Sequence, residues 1–283
     1  MGPFVPQLGL MLNRFVNPDR LLAFAAARRL GFTVVHTSAL PEAWLRGEMR
    51  AQYIAAARAS GLNIAAVFVG FDGQSYADRA SIARTVGLVQ EEFRQHRTEV
   101  ALEYSLLAQD LGSPTLCLHL GFLPSEERHP DYHGVVHSLN RILAECSARG
   151  QTLNLETGQE SAWKLERLIR AVDHPALGVN FDPANFLIYG TDAPLTALDL
   201  LSGRVRGVHC KDAVVATSAD ESMGKETPIG LGQVPFEAML QKLESIGYTG
   251  PLVIEREGGE DPIGDIGRSQ GYLERLLRRI QSP

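Results

Sequence analysis

The sequence predicts an α/β fold, a single (β/α)8 barrel spanning residues 1–283. Short apolar runs alternate with amphipathic helical stretches from one end to the other. Helix after helix stops at a glycine, the residue best suited to the left-handed turn that ends a helix. The alternation occurs eight times, in the chain length that eight such units need. Strands alternating with helices are parallel and joined by right-handed crossovers. The rival, an open doubly wound sheet, carries a glycine-rich phosphate turn after its first strand, and this chain has none.

Each element has its own local reason. The run Leu8 to Leu12 is an apolar strand, and a helix is expected from about Asn17 to Leu30, with Asn17 as its cap and Pro18 at its first position. Gly31 ends it and "FTVVHTS" follows as the second strand. "EMRAQYIAAARAS" is a helix ending at Gly61, and "NIAAVFVG" is the third strand. One long helix is expected over Arg84 to Leu111, closed by Gly112, and then the fourth strand, "TLCLHLG". A helix from about Tyr132 to Arg149 ends at Gly150 and leads to "TLNLE"; "SAWKLERLIRAV" leads to "LGVNFD". "APLTALDLLSG" leads to "VRGVHCKD", and "PFEAMLQKLESIG" to "GPLVIERE". A final helix runs through "IGRSQGYLERLLRRI".

Composition narrows the classes. A hydrophobic content of 45% with 21% charged residues is ordinary for a globular chain with a large core. The net charge is −6 and no basic cluster spans one face, which argues against nucleic acid as a partner. Three cysteines, Cys117, Cys146 and Cys210, form no C-x-x-C pair and read as reduced thiols. No signal-peptide pattern opens the sequence and no apolar run approaches a membrane span, so the cytoplasm is the expected location, with no membrane contact.

Barrel chemistry sits at the carboxyl ends of the strands. Strands five to eight end in Glu156, Asp182, His209 and Glu255. A terminal aspartate often caps the next helix, and a lone histidine is commonly a satisfied core group. Three carboxylates gathered in one mouth, however, repel unless one is protonated or a cation joins them. Three carboxylates and one imidazole suit a single divalent ion: Mn²⁺ first, with Mg²⁺, Co²⁺ and Zn²⁺ as the other candidates.

"LNLETGQE", "VNFDPANFLIYG", "VHCKD", "GLGQVPF" and "GPLVIERE" occur in the order and spacing of the xylose isomerase-like TIM barrel superfamily, and the chain resembles its sugar phosphate isomerase/epimerase branch. The resemblance implies a metal-dependent sugar isomerase or epimerase. In the ketose 3-epimerases of that superfamily the four strand-end residues bind one metal and the two glutamates move a proton on either face of the substrate; here these are Glu156, Asp182, His209 and Glu255. The proton leaves from next to a carbonyl through a metal-stabilised enediolate. Lys211, two residues past His209, is expected on the same side of the strand, bound to a substrate oxygen or paired with a mouth carboxylate. Asn185 faces substrate or caps its turn. His119 and His36, ending strands four and two, are further candidates for substrate hydroxyls. Glu160 is another, although an acid also suits the helix start there. The Gly-rich stretch Met223 to Gln233 is a candidate lid. The partner is a small sugar or sugar derivative, and the relatives' assemblies allow a dimer or tetramer.

Two departures bear on the substrate. Ketose epimerases commonly carry histidine where this chain has Asn185, and arginine where it has Val215. Inososes and 3-keto-glycosides therefore compete with plain hexuloses. A lyase or dehydratase on such keto-sugars begins with the same proton abstraction and is the alternative function. An endonuclease IV-like nuclease is more distant, because its extra metal ligands are missing.

Overall fold

Strand pairing decides the architecture. The computed structural model describes residues 4–217 and 223–281. In chain order its strands are β1 (Leu8–Leu12), β2 (Val34–Thr37), β3 (Asn63–Val69), β4 (Thr115–Leu118) and β5 (Thr152–Glu156). They continue with β6 (Leu177–Phe181), β7 (Val205–Cys210), β8 (Asp212–Val214), β9 (Lys225–Thr227) and β10 (Leu252–Ile254). Eight of them close a parallel ring in the order β1, β10, β7, β6, β5, β4, β3, β2, with helices between successive strands. The fold is the (β/α)8 barrel that the alternation predicts. β8 and β9 stand apart as an antiparallel pair.

Alternation along each strand separates two interiors. Leu153 and Leu155 on β5, Leu177, Val179 and Phe181 on β6, Val208 and Cys210 on β7, and Leu252 and Ile254 on β10 all join the large apolar cluster shared with the helices. The residues between them point into the barrel. Met11, Ala66, Phe68, Cys117 and Val253 form a second, small apolar cluster there. On β5, β6, β7 and β10 the inward positions turn polar toward the carboxyl end. The outer cluster supplies the stability that lets the barrel's mouth be polar, since deleting one such buried leucine typically costs about 2–5 kcal/mol.

Local chemistry moved three boundaries. Asp19 caps the first helix, Arg20–Arg29, its side chain accepting from Leu21 N. Asn17 sits two residues earlier and accepts from Asp19 N at 2.9 Å, closing the turn that leads to the cap. The long helix expected over Arg84 to Leu111 is two helices, Arg79–Thr85 and Glu91–Leu111. The break serves a backbone contact: Leu88 N donates to Leu120 O at 2.9 Å. Gly87, at φ +80°, lies so close to Leu120 that a Cβ would stand 1.8 Å from its carbonyl oxygen. The chain after β6 also makes an extra short helix, Pro183–Tyr189, before the expected one at Pro194–Leu201. Among the described residues, no helix is long and apolar enough to cross a membrane.

Gly87→Ala should therefore cost about 2–3 kcal/mol in denaturant unfolding, from the strained φ and the displaced Leu120 carbonyl. Gly203→Ala is the control, because a Cβ at Gly203 meets nothing within 4 Å and its φ is ordinary. Equal midpoints for the two variants would remove the close approach from the account of this break.

Candidate metal centre and substrate cavity

Glu156, Asp182, His209 and Glu255 each bring one oxygen or nitrogen to the mouth, and those four atoms lie within 4.8 Å of one another. All four residues are buried. Around the ring their strands are neighbours, β5, β6, β7 and β10 in succession. The two glutamates thus flank the aspartate and the histidine.

Each side chain is held by a different device. Asn180, two residues before Asp182, donates Nδ2 to Glu156 Oε2 at 2.7 Å. Asp182 is the helix cap its sequence allowed, and only one of its oxygens is used for that. Its Oδ1 caps the helix Pro183–Tyr189, accepting from Ala184 N at 2.9 Å and Asn185 N at 3.1 Å. Its Oδ2 is buried and makes no hydrogen bond. His209 stacks on Phe68, ring centroids 5.0 Å apart, and its Nε2 stands 3.1 Å from His36 Nδ1. Its Nδ1 lies 3.2 Å from both Glu156 Oε1 and Glu255 Oε2, near enough to feel both charges but off the line of a hydrogen bond to either. Lys211 Nζ lies 3.2 Å from Glu255 Oε2 and 3.9 Å from Asp182 Oδ2, and it pairs closely with Glu257.

The electrostatics follow from burial and crowding. Burial raises the Asp182 carboxyl well above its usual range, against the pull of Lys211. Burial also opposes charge on Glu255, but Lys211 and His209 hold it well below the ordinary glutamate value. His209 is pushed well up, because Glu255 and Glu156 outweigh its burial. His36, buried and beside His209, is pushed well down. The protein alone thus balances the mouth with protons. Two buried ligand atoms without hydrogen bonds, Asp182 Oδ2 and His209 Nδ1, face the same small space as two glutamates. A divalent ion fits this donor set of three hard oxygens and one imidazole nitrogen.

The other residues singled out from the sequence scatter. His119, Asn185 and Lys211 line a cavity of about 790 Å³ together with Glu156 and Glu255. His119 is edge-on to Tyr76, and its Nδ1 is buried without a partner. Asn185 Nδ2 donates to Thr157 O at 3.1 Å. His36 lies outside the cavity lining, turned to His209. Glu160 lies outside it as well, bound to Leu123 N and 3.4 Å from Lys164 Nζ. Met223 and Glu226 do reach the cavity. The rest of that Gly-rich stretch is fastened by Asp212, whose carboxylate accepts from Gly230 N and Gly232 N at 2.9 Å and Val234 N at 3.0 Å. Glu257, Tyr76, Arg14 and Arg20 also line the cavity, and sequence reasoning passed over all four. Glu257 had a signal, lying two residues from Glu255 and so on its side of the chain.

A family model described as xylose isomerase-like TIM barrel matches residues 24–276. The crystal structure of a xylose isomerase domain protein from Planctomyces limnophilus is 38% identical, covers 98% of this chain and 99% of its own, and superposes with a TM-score of 0.87. A 3-keto-D-glucoside 4-epimerase from E. coli covers 96% of this chain and all of its own at a TM-score of 0.70, but is only 18% identical, a likeness of fold. An inosose dehydratase from Lacticaseibacillus casei is 26% identical over 144 residues, 46% of this chain and 48% of the relative. The chain thus matches about half the length of that curated relative.

Glu160 gives a test of these electrostatics away from the metal candidates. Burial raises its carboxyl from 4.5 to about 7. The fold favours the neutral acid, so this stabilisation is complete below pH about 4.5 and is lost as pH rises through about 7, at most about 3 kcal/mol. Glu160→Gln keeps an acceptor for Leu123 N and stays neutral. Its melting temperature should exceed the wild type's at pH 8, and the gap should close near pH 4.5. A gap independent of pH would refute the raised carboxyl.

Proposed function

Because this chain belongs to the xylose isomerase-like TIM barrel family, we propose that it is a divalent-metal-dependent isomerase or epimerase, acting beside the carbonyl of a sugar-like substrate, with residues 1–283 as one domain. The convergence of four buried ligand atoms within 4.8 Å carries the reading. Glu156, Asp182 through Oδ2, His209 through Nδ1 and Glu255 are the proposed ligands. Mn²⁺ is the first ion to try and Mg²⁺ the second. A bound divalent ion supplies Lewis-acid polarisation of a substrate carbonyl.

The residues supply the rest. Glu156 and Glu255, at the two ends of the ligand row, take a proton from the carbon next to the carbonyl and return it. Lys211 remains protonated, because Glu255, Glu257 and Asp182 outweigh its burial. Its role is therefore to hold a substrate oxygen as negative charge develops, and not to give up a proton. His36 is a positioning residue: as the acceptor for His209 Nε2–H it would leave Nδ1 free to hold an ion.

Elimination is the second reading. His119 lines the cavity with an unpartnered Nδ1, and burial lowers its pKa, so a proton placed on it is readily passed to a departing hydroxyl. The similarity to an inosose dehydratase points the same way. The natural substrate then belongs among inososes, 3-keto-glycosides and related keto-sugars, and the cytoplasm remains the proposed location.

Deuterium uptake from D₂O tests the reaction. Mn²⁺-loaded protein incubated with ketoses, inososes and 3-keto-glycosides should label one carbon beside the carbonyl, and product analysis separates epimer, isomer and elimination product. Glu156→Gln and Glu255→Gln should each slow this exchange about 10²–10⁴-fold. Full exchange in either variant would end the two-base mechanism.

His36→Ala should weaken Mn²⁺ binding about 10–100-fold by calorimetry, and His36→Asn, which restores an acceptor, should recover part of the loss. Unchanged affinity in His36→Ala would show that His209 needs no positioning partner.

A further inference from the structure

The cavity is charged unevenly. Its acids are Glu156, Glu255, Glu257 and Glu226. Glu255 and Glu257 are paired with Lys211, and Glu226 lies 2.8 Å from Arg256 Nη1. Glu156 belongs to the ligand row. β1 and β5 are four places apart in the ring of eight, so they face each other across the mouth. The chain leaving β1, opposite Glu156, places Arg14 and Arg20 on the cavity wall.

Among the described residues, neither Arg14 nor Arg20 has a carboxylate within ion-pair distance, although fourteen other Arg or Lys side chains do. Arg20 is half-buried, and Ser38 Oγ accepts one of its N–H groups at 3.2 Å. Ser38 is itself fixed, its N–H donating to Leu12 O at 3.0 Å. The turn carrying Arg14 is also fixed. Asn13 Oδ1 accepts from Phe15 N at 3.0 Å and Val16 N at 3.3 Å, while its Nδ2 donates to Arg256 O at 3.0 Å. Arg14 then lies over the Phe15 ring, 4.8 Å from its centroid. Two anchored guanidiniums with spare donors are suited to a planar or tetrahedral oxyanion.

We propose that Arg14 and Arg20 form a subsite for an anionic oxygen group, carboxylate or phosphate, at the end of the substrate remote from the reacting carbonyl. The inference rests on the function proposed above and narrows its substrate class to acidic sugars. Charge makes the orientation unambiguous. Glu156, on the facing strand, repels an anionic group, and the arginines opposite it receive that group, while the acids just past the strand next to β1, Glu255 and Glu257, are paired with Lys211.

The test uses three ketoses that differ at the end remote from the carbonyl: D-fructose, D-fructuronate and D-fructose 6-phosphate. Binding to Mg²⁺-loaded protein is measured by calorimetry, and deuterium uptake is followed in the same protein loaded with Mn²⁺. At least one acidic ketose should bind about tenfold or more tightly than fructose, as expected for hydrogen bonds to a charged group. Which of them gains tells carboxylate from phosphate. Arg20→Met and Arg14→Met should each remove most of that preference, weakening the acidic ketose about tenfold more than fructose. Arg14 is exposed, so Arg14→Met carries the test alone if Arg20→Met fails to fold. Equal binding of all three ketoses, or a preference that survives in both variants, overturns the subsite. Deuterium uptake into fructose without any acidic preference leaves the reaction standing and the subsite refuted. An arginine-dependent preference with no uptake in any ketose does the reverse.

Discussion

Three carboxylates pressed together out of water are the constraint around which the mouth of this barrel is arranged. An isolated buried carboxylate is strongly unfavourable, and its neighbours make it worse. Every polar contact nearby answers that problem. Asn180 satisfies one oxygen of Glu156, two helix-start amides satisfy one oxygen of Asp182, and Lys211 sits between Asp182, Glu255 and Glu257. His209 takes the space where two glutamate oxygens meet. What these contacts leave over is one oxygen of Asp182 and one nitrogen of His209. Buried groups left over in this way beside two glutamates fit a cation site.

Such a site is tolerable only because the rest of the chain is conventional. The outward residues of all eight ring strands pack against helices in one continuous apolar cluster. The inward apolar residues are few, Met11, Ala66, Phe68, Cys117 and Val253. Phe68 belongs to both problems, since it closes the barrel interior and stacks on His209. The imidazole is thereby held from its flat side by Phe68 and from its edge by His36.

How much of this was legible in the sequence follows from the range of the interactions. Period-two alternation and terminal glycines are local, so the strands, their order and the four strand-end residues could be read directly. Asp182 was readable as either cap or ligand: Oδ1 caps the helix, and Oδ2, buried and without a hydrogen bond, is the oxygen left for the proposed ion. The break between Thr85 and Glu91 was not legible, for Gly87 is needed only because Leu120 approaches it. His36 was expected at the substrate and instead meets a histidine 173 positions away. Arg14, Arg20 and Tyr76 lie outside the ring strands, in or beside loops without periodicity. Nothing in their neighbourhood announces a cavity that strands from the far end of the chain complete.

The distribution of charge around that cavity has a consequence for how a substrate lies in it. Glu156, Asp182, Glu255 and Glu257 together carry more negative charge than Lys211 and one divalent ion would cancel when all four are ionised. A hydroxyketone is neutral, and on the proposed reading it approaches this wall through oxygens that the cation attracts. An acidic group on the same molecule is repelled from Glu156 and attracted toward Arg14 and Arg20 opposite it, so the two ends of an acidic sugar are sorted before any close contact forms. The repulsion is strengthened by the burial of Glu156 and Glu255, whose fields are less screened than in open water. A neutral ketose of the same length has no charge at its far end to be sorted in this way. Orientation by charge would therefore be the property that separates this cavity from one built for plain hexuloses, and it requires no difference in the four residues proposed to hold the metal.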